Sequence, residues 1–375
     1  MTSNESDYDV AEYFFPNSDN QTRIILMDVM IMLAPTSHPS IMFQLYFSMF
    51  AVIVTLFHLI ILSRKSTLTS PVISIMIGIG VCDFVAMITT TTSSAMVYND
   101  DDCAVPNTLF ELFFYWISIN IRDLVRRSST WLGVVLALTR YIHLKFWSKP
   151  IAHLFSDLYV GFKISLACTA ASVPFSIIYY FRYDLVQDEE WDPPEKCGYI
   201  RNEDDPVYSY IQKPSALFTN NNGIFGKIYM LINGTLTKIL PCILLPLLTF
   251  LLIMELRKIS KTSEDSAFTK RKVNNRTTGL VISMTISFFI IELPVGVCVV
   301  LQVSHTDIGF LYIATYVTQI CNAVYLLNAI AHCLICFAMS SPYRKTLLVM
   351  FQVWKETGKS ESEFSIFRKT RGMRH

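Results

Sequence analysis

The chain has 375 residues, of which 52% are hydrophobic and 16% are charged, and its mean hydropathy is positive. Soluble proteins of this length carry more charge, so the composition argues against a soluble globular protein. The net charge of +1 indicates no class of partner, and nothing in it points to nucleic acid.

Seven apolar runs divide the chain. They cover residues 41–62, 72–97, 112–143, 158–181, 227–254, 277–302 and 309–338. Because about 20 apolar residues cross a bilayer as a helix, this pattern predicts an all-α membrane protein with a seven-transmembrane helix bundle. We expect an outer tail at 1–40, the bundle at 41–340 and a cytoplasmic tail at 341–375, in a multi-pass protein of the plasma membrane.

The basic residues indicate how the bundle is oriented. With the N-terminus outside, the cytosolic segments are 63–71, 140–157, 255–276 and 339–375, and they hold 20 of the 31 Lys and Arg residues. The outer segments hold only Arg23, Arg182, Lys196, Arg201 and Lys213. Since Lys and Arg collect on the cytosolic side of membrane proteins, we expect the N-terminus outside. Acidic residues gather on the outer side instead.

Both ends of the chain carry local signals. Asn4 and Asn20 begin glycosylation sequons in the predicted outer tail. The apolar segment 24–33 is short, so we interpret it as an amphipathic turn rather than a span. After span 7, apolar residues at helical spacing predict a short amphipathic helix on the inner leaflet. These residues are Leu347, Phe351 and Trp354.

Two of the nine cysteines, Cys103 and Cys197, lie in predicted outer segments. Thiols pair readily in that oxidising compartment, which predicts a Cys103–Cys197 disulfide. The alternative is two free thiols. The other cysteines fall inside spans and show no metal-ligand spacing. We therefore expect no metal and no cofactor.

Charged residues cluster in the outer half of the bundle. They are Arg122, Asp123, Arg126, Arg127, Lys238 and Glu292. Charges cost several kcal/mol when they face lipid, so we expect this set to line one aqueous cavity that opens outward and binds a ligand. Asp123 and Arg127 are also i, i+4 neighbours, which can pair. The alternative is a mutually neutralised structural network that contacts no ligand.

One carboxylate, Asp83, lies near the middle of span 2. An intramembrane carboxylate indicates a functional site, with a protonated structural residue as the alternative. Prolines in spans 4, 5 and 6 predict kinks about which one half of a helix moves against the other. These are Pro174, Pro241, Pro246 and Pro294.

An ordered set of motifs carries a family resemblance. The motifs are FHLIILSRKS (57–66), MIGIGVCD (76–83), RRSSTWLGVVLALTRY (126–141), LPLLTFLLIMELRK (245–258), FFIIELPVG (288–296) and LNAIAHCLICFAMSSPYRKT (327–346). Together they resemble the rhodopsin-like G-protein-coupled receptors. Within these, the chain is most similar to the nematode serpentine receptor class W chemoreceptors, which are related to FMRFamide-type peptide receptors.

The resemblance implies roles for individual residues. Arg140, with Tyr141 beside it, takes the position of the arginine that holds the resting state and then meets the G protein. The family's sodium-binding and activation network corresponds to Asp83, Ser129 and Asn328. The pivot positions of spans 5 and 6 correspond to Pro246, Phe288 and Pro294. The usual disulfide corresponds to Cys103 and Cys197.

The chain also departs from the family pattern. Thr139 replaces the acid before Arg140, and His332 replaces a tyrosine in span 7. Thr55, Ala329 and Glu292 replace the usual Asn, Pro and Trp. These differences argue against a standard ionic lock and against sodium dependence rather than against G-protein coupling.

These observations predict a receptor that binds an extracellular ligand and activates a heterotrimeric G protein. The favoured ligand is a short basic neuropeptide of the FMRFamide type, and the alternative is a small environmental molecule. Arrestin and membrane lipids are the further expected partners. A transporter or channel is a remote alternative, since no internal repeat is visible. No catalytic arrangement is visible, so we do not expect an enzyme.

Overall fold

A computed structural model describes residues 5–68, 71–98, 103, 105–146, 158–191, 195–197, 207–262, 282, 285–286, 289–303, 305, 307–339, 343–350 and 352. Its helices are α1 (Glu5–Phe14), α2 (Asn20–Leu62), α3 (Pro71–Tyr98), α4 (Leu109–Lys145), α5 (Leu158–Tyr180), α6 (Ala216–Thr219), α7 (Ile224–Gly234), α8 (Leu240–Thr262), α9 (Phe289–Leu301), α10 (Ile308–Met339) and α11 (343–350). Two strands, β1 (Tyr183–Glu190) and β2 (Tyr208–Pro214), follow α5.

Spans 1 to 4 are α2, α3, α4 and α5, span 5 is α7 with α8, span 6 contains α9, and span 7 is α10. Five helical segments of the described chain are long and apolar enough to cross a membrane, and they belong to spans 1, 2, 4, 5 and 7. Span 6 contains only a shorter apolar helix, α9, among the residues that the structure describes. Helix α4 has the length of a span but carries four of the six charged residues of the outer half.

Helix α2 begins much earlier than the sequence predicts. It runs for 43 residues from Asn20, so the segment 24–33 is helix and not a turn. The sequence pattern predicts a helix only over the apolar run at 41–62. The helix extends beyond that run because Asp19 caps it, accepting a hydrogen bond from the Thr22 backbone N–H at 3.2 Å. The hydrogen bonds from Thr22 lower the pKa of Asp19.

The segment before α2 packs against the same end of spans 1 and 7. The Phe15 side chain is fully buried there. Its hydrophobic cluster contains Met30, Phe310 and Ile313. Asn17 Nδ2 donates to Asp307 Oδ1 at 2.5 Å, which ties the segment to the start of span 7. Asn20 is exposed, whereas Asn4 lies outside the described residues, and both glycosylation sites stay predictions.

A β-hairpin, which the sequence analysis did not predict, lies between spans 4 and 5. Strands β1 and β2 pair antiparallel, with Val186 opposite Ile211. A hairpin is predicted from sequence when a short turn with Gly or Asn joins two strands. Here residues 191–207 separate the strands, so that signal does not apply. The predicted Cys103–Cys197 disulfide is confirmed, and it ties this connection to the segment before span 3. We call the end of the bundle with the hairpin and the disulfide the outer end.

Helix α11 lies at the opposite, inner end, against the bundle. Tyr343 and Thr346 are buried, and Thr346 Oγ1 lies 2.8 Å from Ser66 Oγ. Leu348 and Val349 are exposed on the other side. One apolar face thus remains for the inner leaflet, as expected for an amphipathic helix. Phe351 and Trp354, which helped to predict this helix, lie outside the described residues.

Candidate functional site

Three charged side chains from three spans meet inside the bundle, and we call them the charge cluster: Arg126, Lys238 and Glu292. Arg126 Nη2 donates to Glu292 Oε1 at 2.9 Å, and Lys238 Nζ donates to Glu292 Oε2 at 2.6 Å. Glu292 is only 1% exposed. One carboxylate therefore holds two cations, and spans 3, 5 and 6 are joined through it.

The local structure of span 5 places Lys238 in the charge cluster. Lys238 lies in a π-helical turn, Thr235–Ile239, between α7 and α8. Such turns are rare inside α-helices and are frequently found at functional sites. Span 6 approaches closely because residue 296 is glycine: a Cβ atom there would lie 2.8 Å from Lys238 Cβ. The π turn and Gly296 together bring Lys238 to Glu292.

Arg126 also joins the charge cluster to span 7. Its Nη1 donates to Asn322 Oδ1, and its guanidinium lies over the Tyr325 ring, 4.6 Å from the ring centroid. A cation over an aromatic face is attracted by the ring quadrupole. Arg126 is 4% exposed, so its charge is held entirely by protein groups.

A second polar centre surrounds Asp83, deeper in the bundle. Asp83 Oδ1 accepts hydrogen bonds from Tyr325 Oη at 2.8 Å and from Ser129 Oγ at 3.2 Å. Asp83 Oδ2 lies 3.1 Å from His332 Nδ1. Because Tyr325 touches both Arg126 and Asp83, one continuous set of polar contacts runs from Glu292 to His332.

The other charged residues of the outer half face elsewhere. Arg127 Nη1 donates to the Ser172 carbonyl at 3.0 Å, so it is directed at span 4. Arg122 Nη1 donates to Ser93 Oγ in span 2 at 3.3 Å. Successive residues of a helix point about 100° apart, which separates Arg127 from Arg126. The structure therefore brings together three of the six predicted residues and does not place Arg127 with them.

Asp123 is half-buried, and within the described part of the chain it has neither a hydrogen bond nor an ion pair. The predicted pairing with Arg127 does not form, because Arg127 bonds to span 4. Asp123 therefore leaves a carboxylate in the outer half of span 3 that Arg127 does not neutralise.

Residues 42–354 match a protein-family model described as serpentine type 7TM GPCR chemoreceptor Srw. The chain belongs to this family. The match covers all seven spans, so the resemblance and the seven-helix fold class predicted from the sequence are confirmed. No curated protein matches the chain. The relation to FMRFamide-type receptors stays a prediction.

The receptor is thus a multi-pass protein of the plasma membrane, from a family of chemosensory receptors rather than of enzymes. No group of three or more His, Cys, Asp or Glu residues in the described part of the chain could hold a metal ion.

At the inner end of the receptor, Arg140 is half-buried and has no carboxylate partner among the described residues. The preceding residue, Thr139, is buried and cannot supply one. Tyr141 Oη accepts a hydrogen bond from Lys145 Nζ at 2.7 Å.

The remaining predicted activation residues have mixed positions. Pro246 lies inside α8, and Pro294 is half-buried in α9. Asn328 is buried, and its Oδ1 has no hydrogen-bond partner in the described chain. Phe288 lies outside the described residues. The roles of these residues stay predictions.

Sequence reasoning missed Asn322 and Tyr325, which connect the two polar centres of the receptor. A signal was present: Asn322, Tyr325 and His332 recur at i, i+3 and i+10, which places them on one face of a helix. The sequence analysis selected site residues by the cost of placing a charge in lipid. Neither Asn nor Tyr carries a charge, so this criterion does not select them. His58 and Tyr343, which bond to each other at 2.9 Å, were missed for the same reason.

Proposed function

We propose that this receptor binds an extracellular ligand at the charge cluster and passes the change through spans 5 and 6 to a heterotrimeric G protein. The observation that carries the proposal is the double pairing of Glu292 with Arg126 and Lys238. A ligand that competes for one of these contacts changes how three spans are joined.

Lys238 is the member of the charge cluster that a ligand reaches most easily. Its side chain is 14% exposed, compared with 1% for Glu292. A ligand cation that replaces Lys238 at Glu292 releases span 5 from span 6 while the carboxylate stays paired. Because a ligand shifts a population only by its difference in affinity between two states, such an exchange gives the preference that activation needs.

The charge of the outer end favours a basic ligand. Strand β1 carries Asp184, Asp188, Glu189 and Glu190, whereas β2 carries one basic residue, Lys213, whose Nζ lies 3.6 Å from Asp188 Oδ1. A surface with excess negative charge raises the local concentration of cations. A guanidinium also forms stronger, bidentate bonds with a carboxylate than an ammonium does. We infer a short basic neuropeptide, such as one ending in Arg-Phe-amide, with Glu292 or Asp123 as its anchor.

A small environmental molecule is the second candidate, because the matched family is described as one of chemoreceptors. An acidic compound would compete with Glu292 for Lys238 rather than with Lys238 for Glu292. The sign of the ligand's charge therefore separates the two candidates.

At the inner end, we propose that Arg140 and Tyr141 contact the G protein when spans 5 and 6 move about Pro246 and Pro294. Prolines weaken the helix hydrogen bonding at these points. Arrestin and lipids of the inner leaflet are further proposed partners at this end.

The test uses full-length receptor in cells with a G-protein nucleotide-exchange readout, exposed to a library of short amidated peptides and to a panel of small organic acids and amines. We expect a basic amidated peptide to activate. Glu292→Gln should weaken its potency at least tenfold, whereas Lys213→Gln on the hairpin should leave potency within about twofold.

Basic-peptide activation that is unchanged in both Glu292→Gln and Asp123→Asn would make the anchor wrong. Activation only by organic acids would favour the environmental ligand. Ligand-dependent current or solute flux without nucleotide exchange would favour a channel or transporter.

A further inference from the structure

A small cavity lies beside Asp83, between spans 1, 2 and 7. Its volume is about 20 Å³, and its polar walls are the side chains of His58, Asp83 and His332. The other walls are mainly apolar, among them Met76 and Ile335. The cavity lies on the inner side of the Tyr325 contact, away from the charge cluster.

The family resemblance implies a sodium site at this carboxylate, formed by Asp83, Ser129 and Asn328. The arrangement in this chain does not fit such an ion. The Asp83 oxygens already meet three donors or ring nitrogens, from Tyr325, Ser129 and His332, at 2.8 to 3.2 Å. Each donor points its hydrogen at a lone pair of an Asp83 oxygen. A metal ion would need the same lone pairs in order to bind.

The cavity walls do not supply replacement ligands. Hard cations take oxygen ligands, but the cavity offers one carboxylate and two imidazoles. Asn328, whose Oδ1 has no partner among the described residues, does not line this cavity.

We propose that His332, as an imidazolium, is the built-in counter-ion of Asp83, and that the cavity takes one water molecule instead of a sodium ion. A buried carboxylate needs a compensating charge, and His332 Nδ1 lies 3.1 Å from Asp83 Oδ2. The proposal is independent of the ligand named above.

The unpartnered nitrogen of His332 supports the water. His332 Nε2 is buried and has no hydrogen-bond partner in the described part of the chain. A buried water needs about 10–15 Å³ and two to four polar partners. The cavity provides the volume, and His332, His58 and Asp83 provide the partners.

The water extends the polar contacts to the inner end of the receptor. His58 Nδ1 lies 2.9 Å from Tyr343 Oη in α11. Burial raises the pKa of Tyr343, so the hydroxyl keeps its proton and remains a hydrogen-bond donor. A path from Asp83 through His332, one water and His58 thus reaches the helix that follows span 7.

The test measures the thermal unfolding of purified full-length receptor in sodium chloride and in choline chloride at equal ionic strength. We expect the wild type and Asp83→Asn to show the same difference in Tm between the two salts. His332→Leu leaves Asp83 buried without its counter-ion and should lower the Tm by a similar amount in both salts. The His332→Leu/Asp83→Asn double variant should regain part of that loss. His38→Leu, which removes an exposed histidine, is the matched control and should behave as the wild type.

A sodium-specific rise in the wild type that Asp83→Asn abolishes would overturn the proposal. This comparison decides the question even where the His332 variant fails to fold. In a high-resolution density map, we expect one peak bonded to His332 and His58. A peak held by Asp83 that disappears in choline would also overturn the proposal.

Discussion

The Arg126 guanidinium lies 4.6 Å from the centroid of the Tyr325 ring, and this contact joins the charge cluster to the centre around Asp83. Tyr325 meets Arg126 with its ring and Asp83 with its hydroxyl. A change in the charge cluster therefore reaches Asp83 through one side chain.

Replacing Tyr325 with Phe keeps the ring over Arg126 and removes the hydrogen bond to Asp83. Because a buried acceptor loses a donor, we expect the variant to unfold with about 1–3 kcal/mol less stability. The measurement is the Tm of purified receptor, with Tyr312→Phe as the control because Tyr312 is exposed. Equal Tm values for both variants would show that the Tyr325 hydroxyl contributes nothing.

The two substitutions that break the charge cluster should differ in cost. Glu292→Gln leaves Arg126 and Lys238 buried without a counter-charge, which costs about 3–5 kcal/mol. Lys238→Gln leaves the Arg126–Glu292 pair intact and should cost less. We expect the double variant Glu292→Gln/Lys238→Gln to regain part of the lost stability in thermal unfolding. A larger loss from Lys238→Gln than from Glu292→Gln would contradict this order.

Replacing Gly296 with Ala should push spans 5 and 6 apart. The added Cβ would lie 2.8 Å from Lys238 Cβ and 3.2 Å from Ile239 Cγ1. Overpacking of this kind costs about 1–3 kcal/mol. The Tm should fall, and ligand-independent nucleotide exchange should change because the Lys238–Glu292 contact is strained. The neighbouring Val297→Ala, at an exposed position, is the control, and a Gly296→Ala receptor with wild-type Tm and exchange would refute the close approach.

Removing the Phe15 side chain should detach the segment before α2. Phe15 is fully buried, and Gly309 admits its ring, since a Cβ atom on Gly309 would lie 2.4 Å from Phe15 Cζ. We expect Phe15→Ala to raise hydrogen exchange and protease cleavage in residues 10–20, with a smaller change in global Tm because the contact is local. Tyr13→Ala, at an exposed position, should leave both unchanged. Unaltered exchange in Phe15→Ala would mean that the segment is held by other contacts.

The sequence predicts the features that follow from burial in lipid. Apolar length predicts the spans, and the cost of buried charge places Arg126, Lys238 and Glu292 in one half of the bundle. It does not predict which way a charged side chain faces. Arg126 and Arg127 are adjacent, and the helix rotation between them sends one to Glu292 and the other to Ser172.

The contacts that sequence reasoning missed depend on tertiary packing. In the sequence, Tyr325 is one residue of the apolar run of span 7. Its role depends on the fold, which places Arg126 and Asp83 on either side of it. The β-hairpin has weak strand signals, and the disulfide at Cys197 joins the connection between its strands to the rest of the receptor. The early start of α2 depends on one local hydrogen bond to Asp19 beyond the apolar run.

The π turn at Thr235–Ile239 places one extra residue in a turn of span 5. A π turn closes i to i+5 hydrogen bonds where an α turn closes i to i+4. Relaxing it to an α turn moves the helix by one residue, which swings the side chains about 100° around the axis. Lys238 would then leave Glu292, and the half of the helix that contains Pro246 would turn relative to the half above it. The π turn would thereby couple the contact between Lys238 and Glu292 in the outer half of the membrane to the rotation of span 5 in the inner half.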